Sequence, residues 1–170
     1  MKSYKKVAVG GTFDELHSGH KALLGKAFEV GKQVVIGLTS DVFVMQISKP
    51  HKTASYEERC LSLECYLMQN GFVGRAQIVP LVDSYGLLLS NSDIDALIVS
   101  QETQKIGQII NQKRFALGYP PLELVVVDMV PAQNHHPIST TRIRRGEIDH
   151  NGHILSSLSD GVEGHFKNKC

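Results

Sequence analysis

The stretch from Val7 to His20, VAVGGTFDELHSGH, constrains the fold of this chain more than any other. Val7, Ala8 and Val9 form a short apolar run that reads as a buried strand, and Gly10 with Gly11 lets the backbone turn sharply or lets a ligand approach the main chain. From about Ser18 the apolar residues Ala22, Leu23, Ala27 and Phe28 recur at helical spacing, so a helix is expected to start there. His17 and His20 then sit three residues apart at its mouth, on nearly the same side, where both imidazoles can face one ligand. A first helical turn offers unpaired N–H groups and a partial positive charge, and Gly19 between the histidines is expected to leave room for a phosphate. The plain alternative is a core strand and helix with two incidental histidines. A zinc site is another, but Cys60, Cys65 and Cys170 form no CxxC pair. Neither GxGxxG nor GxxxxGK(S/T) occurs, so dinucleotide oxidoreductase and P-loop readings lose their main support.

The remaining chain keeps alternating strand and helix signals. After a helix ending near Gly31 come a strand at Val34 to Leu38, a short helix from Val42 to Ile47 and a polar loop from Ser48 to Ala54 carrying Lys49, His51 and Lys52. Ser55 followed by Glu58 is a capping box, which opens a helix that runs to about Gln69 and stops at Asn70 and Gly71. A third strand spans Ala76 to Leu81, with a turn at Asp83 to Gly86, and a fourth spans Ala96 to Val99. A helix opened by Thr103 ends at Gly118, and Leu124 to Val127 form a fifth strand. Ser139, Thr140 and Thr141 can cap a last helix bearing Arg142, Arg144 and Arg145, and the tail from Gly146 reads as a short packed helix or a mobile end. Parallel strands need crossover helices, so the expectation is α/β: one doubly wound, five-stranded parallel sheet, with ligands beyond the carboxyl ends of its strands.

Composition narrows the functional classes. The 170 residues are 42% hydrophobic, enough for one packed domain over 1–170. Eighteen Lys and Arg against seventeen Asp and Glu leave a net charge of +1, which supplies no broad attraction for nucleic acid. No apolar run approaches bilayer length, and MKSYKK leads into the first strand without a signal-peptide core, so no membrane partner and a cytoplasmic location are expected. The three cysteines, without a framework spacing, suit a reducing compartment and are expected to act mainly as small apolar side chains.

GTFD followed by HxGH resembles the signature of the HxGH nucleotidyltransferase superfamily, which has a Rossmann-like fold and attacks a nucleoside triphosphate at its α-phosphorus. Ile138 to Arg144, ISTTRIR, resembles the ISSTxxR-type motif that this superfamily places against the β and γ phosphates. The resemblance implies in-line displacement with pyrophosphate leaving. It makes His20 the donor to the transition state and puts Gly11, Thr12, Phe13, His17, Ser139, Thr140, Thr141 and Arg142 around the triphosphate. Either Lys49 or Lys52 bridges triphosphate and acceptor; the residues do not decide which. An acceptor phosphate is already ionised at neutral pH and needs no general base, so positioning and charge stabilisation carry the catalysis.

Three further stretches, VPLVDSYG (Val79 to Gly86), IVSQET (Ile98 to Thr103) and INQKR (Ile110 to Arg114), resemble the archaeal and eukaryotic type of phosphopantetheine adenylyltransferase. That implies transfer of AMP from ATP, accompanied by Mg2+, to 4′-phosphopantetheine, giving dephospho-coenzyme A. Asp83 and Tyr85 would offer contacts to the pantetheine arm, and Asn111 and Arg114 would reach the nucleotide or phosphate side. A cytidylyltransferase, a flavin adenylyltransferase and a non-catalytic nucleotide sensor are the other readings. Cytidylyltransferases usually carry RTxG directly before ISTT, where this chain has Asn134, His135, His136 and Pro137.

Overall fold

The computed structural model describes residues 3–47 and 52–155. Strands β1 (Tyr4–Gly11), β2 (Gly31–Thr39), β3 (Ala76–Leu81), β4 (Ala96–Ser100) and β5 (Glu123–Val127) form a sheet in the order β3-β2-β1-β4-β5, with every pairing parallel. The helices are α1 (Ser18–Val30), α2 (Asp41–Ile47), α3 (Tyr56–Gln69), α4 (Gly86–Ser90), α5 (Gln104–Ala116) and α6 (Thr140–Arg144). The doubly wound parallel sheet expected from the alternation is what forms, and its strand order reverses between β1 and β4.

Side-chain alternation along the strands builds two cores. Val7, Val9, Val34, Ile36 and Ile98 pack against Leu24 and Phe28 of α1 and Leu63 and Leu67 of α3. Ala8, Leu97 and Val99 face the other way, onto Leu88 of α4 and Ile110 of α5. Burial on both faces is why these strands read as unbroken apolar runs. The Ser55 capping box forms, and α3 stops at Asn70 with Gly71 at φ +69°. α1 passes into β2 with no intervening loop. The Arg75 guanidinium binds its free end, Nη2 donating to the carbonyls of Phe28 (2.6 Å) and Gly31 (2.8 Å).

Three details depart from expectation. α4 occupies Gly86–Ser90 just beyond the expected turn, and a 3-10 turn covers Val73–Arg75; neither carries a strong capping signature in sequence. The tail, as far as Leu155, is neither helical nor detached. A bridge between Ile148 and Ile154 closes a turn, and Ile148 is fully buried against Ala132 and Ile138. Cys60 is a free thiol.

Candidate active site

The paired histidines build the start of α1 themselves. His17 is the N-cap, and its Nδ1 accepts from the N–H groups of Gly19 (3.0 Å) and His20 (3.4 Å). His20 is N3, and its Nδ1 accepts the His17 N–H at 3.3 Å. The three-residue spacing is thus a capping box made from two imidazoles, with the rings stacked 3.7 Å apart. With both Nδ1 atoms accepting, each neutral ring carries its proton on Nε2, so the motif presents two oriented donors.

This geometry corrects the expected backbone anion site. The N–H of Ser18 donates to the His150 carbonyl at 3.0 Å, so the first three amides of α1 are all engaged. A Cβ on Gly19 would lie 2.9 Å from the His17 ring, so this glycine makes room for the imidazole rather than for a phosphate. His17 is only 6% exposed, and burial, with His150 and Lys21 adding to it, lowers its pKa from 6.5 to about 4. Because the unfolded chain then binds this proton more tightly, the stability that His17 contributes is complete above pH 6.5 and is lost as the pH falls towards 4. His17→Asn retains a capping acceptor but cannot titrate. Urea unfolding is expected to show up to about 3 kcal/mol less acid-induced loss across that window in the variant; an unchanged slope would assign the loss to other groups.

A cavity of about 360 Å³ opens at the carboxyl ends of β1 and β4, on the α4 and α5 face of the sheet. Gly10 and Gly37 pair across β1 and β2 in its wall. A Cβ on Gly37 would come within 2.7 Å of the Leu81 side chain, so this glycine makes room for Leu81, which itself lines the cavity. Phe43, Leu87 and Ile106 add apolar surface, and Thr12, Thr39, Ser84 and Thr103 add hydroxyls. The histidines lie beyond the same strand end, at the start of a helix on the opposite face. The loop from Gly11 to His17 joins the cavity wall to the histidine pair.

Beneath this junction lie polar contacts absent from the sequence reading. Arg59 is 2% exposed; its Nη1 donates to the Thr12 carbonyl (3.0 Å) and Thr39 Oγ1 (3.2 Å), its Nε to the Ala54 carbonyl (2.9 Å) and its Nη2 to Asp41 (3.1 Å). Asp14, also 2% exposed, takes a bidentate pair from Arg144. His150 Nε2 lies 2.8 Å from Glu15, and this hydrogen bond raises the His150 pKa. Arg144 is signalled in sequence as the last residue of the ISTTRIR string and Asp14 as the last residue of GTFD; Arg59 and His150 carried no signal.

The predicted residues are distributed unevenly. Gly11 and Thr12 line the cavity at the end of β1, and His17 and His20 open α1 at the end of the loop that follows. Ser139 caps α6 through the Arg142 N–H, Thr140 Oγ1 donates to the Asp14 carbonyl at 2.8 Å, and Thr141 follows in the same turn. The Arg142 fork is taken up by Glu147 (3.1 Å), the Pro137 carbonyl (3.0 Å) and Asn134 (3.3 Å). Asp83 accepts from the N–H groups of Tyr85 and Gly86, which lower its pKa and fix the start of α4; Tyr85 lies under Lys113 at 5.0 Å. Lys52 is exposed, and Lys49 lies outside the described residues.

Three expected contacts are corrected. The Phe13 side chain, 1% exposed, is core packing beside the His20 ring and presents no surface to a nucleotide. Asn111 brackets Leu122 with two 2.8 Å bonds just before β5, at the end of the sheet opposite the cavity. Arg114 is fully buried there, donating to the carbonyls of Leu88, Asn91 and Pro120, because α5 runs back from the β4 terminus and carries its last turns away from the site.

Among the described residues no three His, Cys, Asp or Glu side chains converge on a point that could hold a metal ion, and no helix is long and apolar enough to cross a membrane.

The cytidylyltransferase-like family model matches residues 8–146. Among solved structures, a protein of unknown function from Archaeoglobus fulgidus superposes with a TM-score of 0.66 at 34% identity, over 79% of this chain and 99% of that one. A tyrosyl-tRNA synthetase from the same organism (TM-score 0.61, 14% identity, 84% of this chain and 60% of that one) shares the fold alone. The chain belongs to the cytidylyltransferase-like family, and it is a nucleotidyltransferase. A phosphopantetheine adenylyltransferase from Methanopyrus kandleri is 42% identical over 88% of this chain and 94% of its own length. One from Pyrococcus horikoshii is 44% identical over 94% and 100%. Within the family, the chain belongs with these adenylyltransferases.

Proposed function

We propose that this chain transfers the adenylyl group of ATP to 4′-phosphopantetheine, giving dephospho-coenzyme A and pyrophosphate. The observation that carries this reading is that one loop, leading from Gly11 to His17, follows directly from a mainly apolar cavity with a few hydroxyls at the end of β1 and ends on oriented imidazole donors at the start of α1. The imidazoles suit the polyphosphate, and the cavity an extended arm that is apolar between its amides. The acceptor phosphate lies between the two, where its ionised oxygen attacks the α-phosphorus in line with the departing pyrophosphate. His20 Nε2–H stabilises charge on the transferring group, while His17, kept neutral by burial, and Thr12 hold the phosphates.

A lysine of the 49–52 loop bridges donor and acceptor in this scheme, with Ser139, Thr140 and Thr141 on the triphosphate side. Magnesium comes with the nucleotide as the counter-ion of its phosphates, and no step is routed through it. ATP as donor favours a cytoplasmic location. The test is steady-state turnover with ATP or CTP against phosphopantetheine, pantetheine, glycerol 3-phosphate and flavin mononucleotide. ATP with phosphopantetheine is the expected productive pair, and pantetheine, whose hydroxyl needs a base, is expected to be inert. Turnover confined to the glycerol or flavin acceptor would keep the enzyme class and overturn the substrate.

A further inference from the structure

We infer that Asp14 is a positioning residue for this transfer, holding the segment after the lysine loop and the 139–141 hydroxyl segment in register with the histidine pair. Its buried carboxylate receives Arg144 Nε on Oδ2 and Nη2 on Oδ1, each at 2.9 Å. Oδ1 also accepts the Ala54 N–H at 3.2 Å, and its carbonyl accepts Thr140 Oγ1 at 2.8 Å. One residue thereby ties the strand-to-helix loop to two stretches that lie 40 and 126 residues further along the chain. Ala54 is held from both sides, since its carbonyl accepts Arg59 Nε.

A second observation is independent of these bonds. Phe13 and Glu15, on either side of Asp14, have φ of 48° and 50°, a conformation that is unfavourable for a residue with a side chain and persists only where surrounding contacts enforce it. A bidentate arginine on a buried carboxylate is a constraint of that kind. The loop ends at His17, so the histidine donors and the Thr140 segment share one anchor. The inference rests on the proposed transfer, because positioning matters only if these segments act on one reacting centre.

Asp14→Asn preserves volume and removes the charge. Turnover is expected to fall roughly a hundredfold, as an ångström-scale misplacement does, with the KM for phosphopantetheine changed less than about twofold because Asp14 does not line the cavity. Arg144→Met should lose turnover similarly, Arg144→Lys should recover part of it, and the double variant should be no worse than the worse single one. Should Asp14→Asn not fold, the lysine and methionine variants carry the same comparison. Amide exchange at Ala54 and across 139–142, read without substrates well below melting, should quicken in Asp14→Asn. Multiplying losses in the double variant, or unchanged turnover beside a lowered melting temperature, would overturn the positioning role. A wild-type protein that makes no product would sink the proposed function instead, and the exchange data would then decide Asp14 alone: unchanged protection at both segments overturns it.

Discussion

His20→Ala is expected to lower turnover roughly a hundredfold to a thousandfold while leaving the protein folded, the size of effect that follows loss of one preorganised transition-state donor. The contacts that orient the His20 ring include the His17 N–H on its Nδ1 at 3.3 Å, the stacked His17 imidazole and the Phe13 ring. A ring held this way brings its Nε2–H to the reacting phosphate with little reorganisation, which water replacing it does not reproduce. The structural cost is small: half of one capping box, on the order of 1 kcal/mol. Measuring turnover beside circular dichroism and urea unfolding separates the two effects. A folded variant with near-normal turnover would remove His20 from the chemistry.

Arg59→Ala is expected to cost about 3–5 kcal/mol, the largest stability loss foreseen for a side chain near the site. Its guanidinium is nearly inaccessible, and the substitution strands the Thr12 and Ala54 carbonyls while leaving a void beneath the β1 loop. Asp41, which also accepts the Tyr56 N–H at 2.7 Å, would lose one of its two ties between α2 and α3. Arg59→Lys should fall between wild type and alanine, because a single ammonium cannot span carbonyls on two loops and a carboxylate together. Urea unfolding checks the order. A loss below about 1 kcal/mol for alanine would mean that the freed groups find water at little cost.

Residues alone determined the architecture and the place where chemistry is expected. Strands buried on both faces must be continuous apolar runs, and those runs separated by helical periodicity allow little besides a covered parallel sheet. HxGH was legible as a motif because its histidines lie three residues apart at a helix start, but the capping box they form was not expected and was read only from the structure. Only the tertiary structure decided which charged residues would be buried and what they would hold. Arg59 and Arg114 look like ordinary helix-surface charges in sequence, where full burial of arginine is rare. Arg142 and Arg144 are two positions apart on a short helix and therefore project to different sides, one into its own loop and the other onto Asp14, 130 residues away. Contacts at that separation leave no periodicity behind, because they depend on how layers pack and not on the pitch of any one element; the Asp14 clamp, the cavity between β1 and α5, and the removal of Asn111 and Arg114 to the far end of the sheet all became readable only in three dimensions.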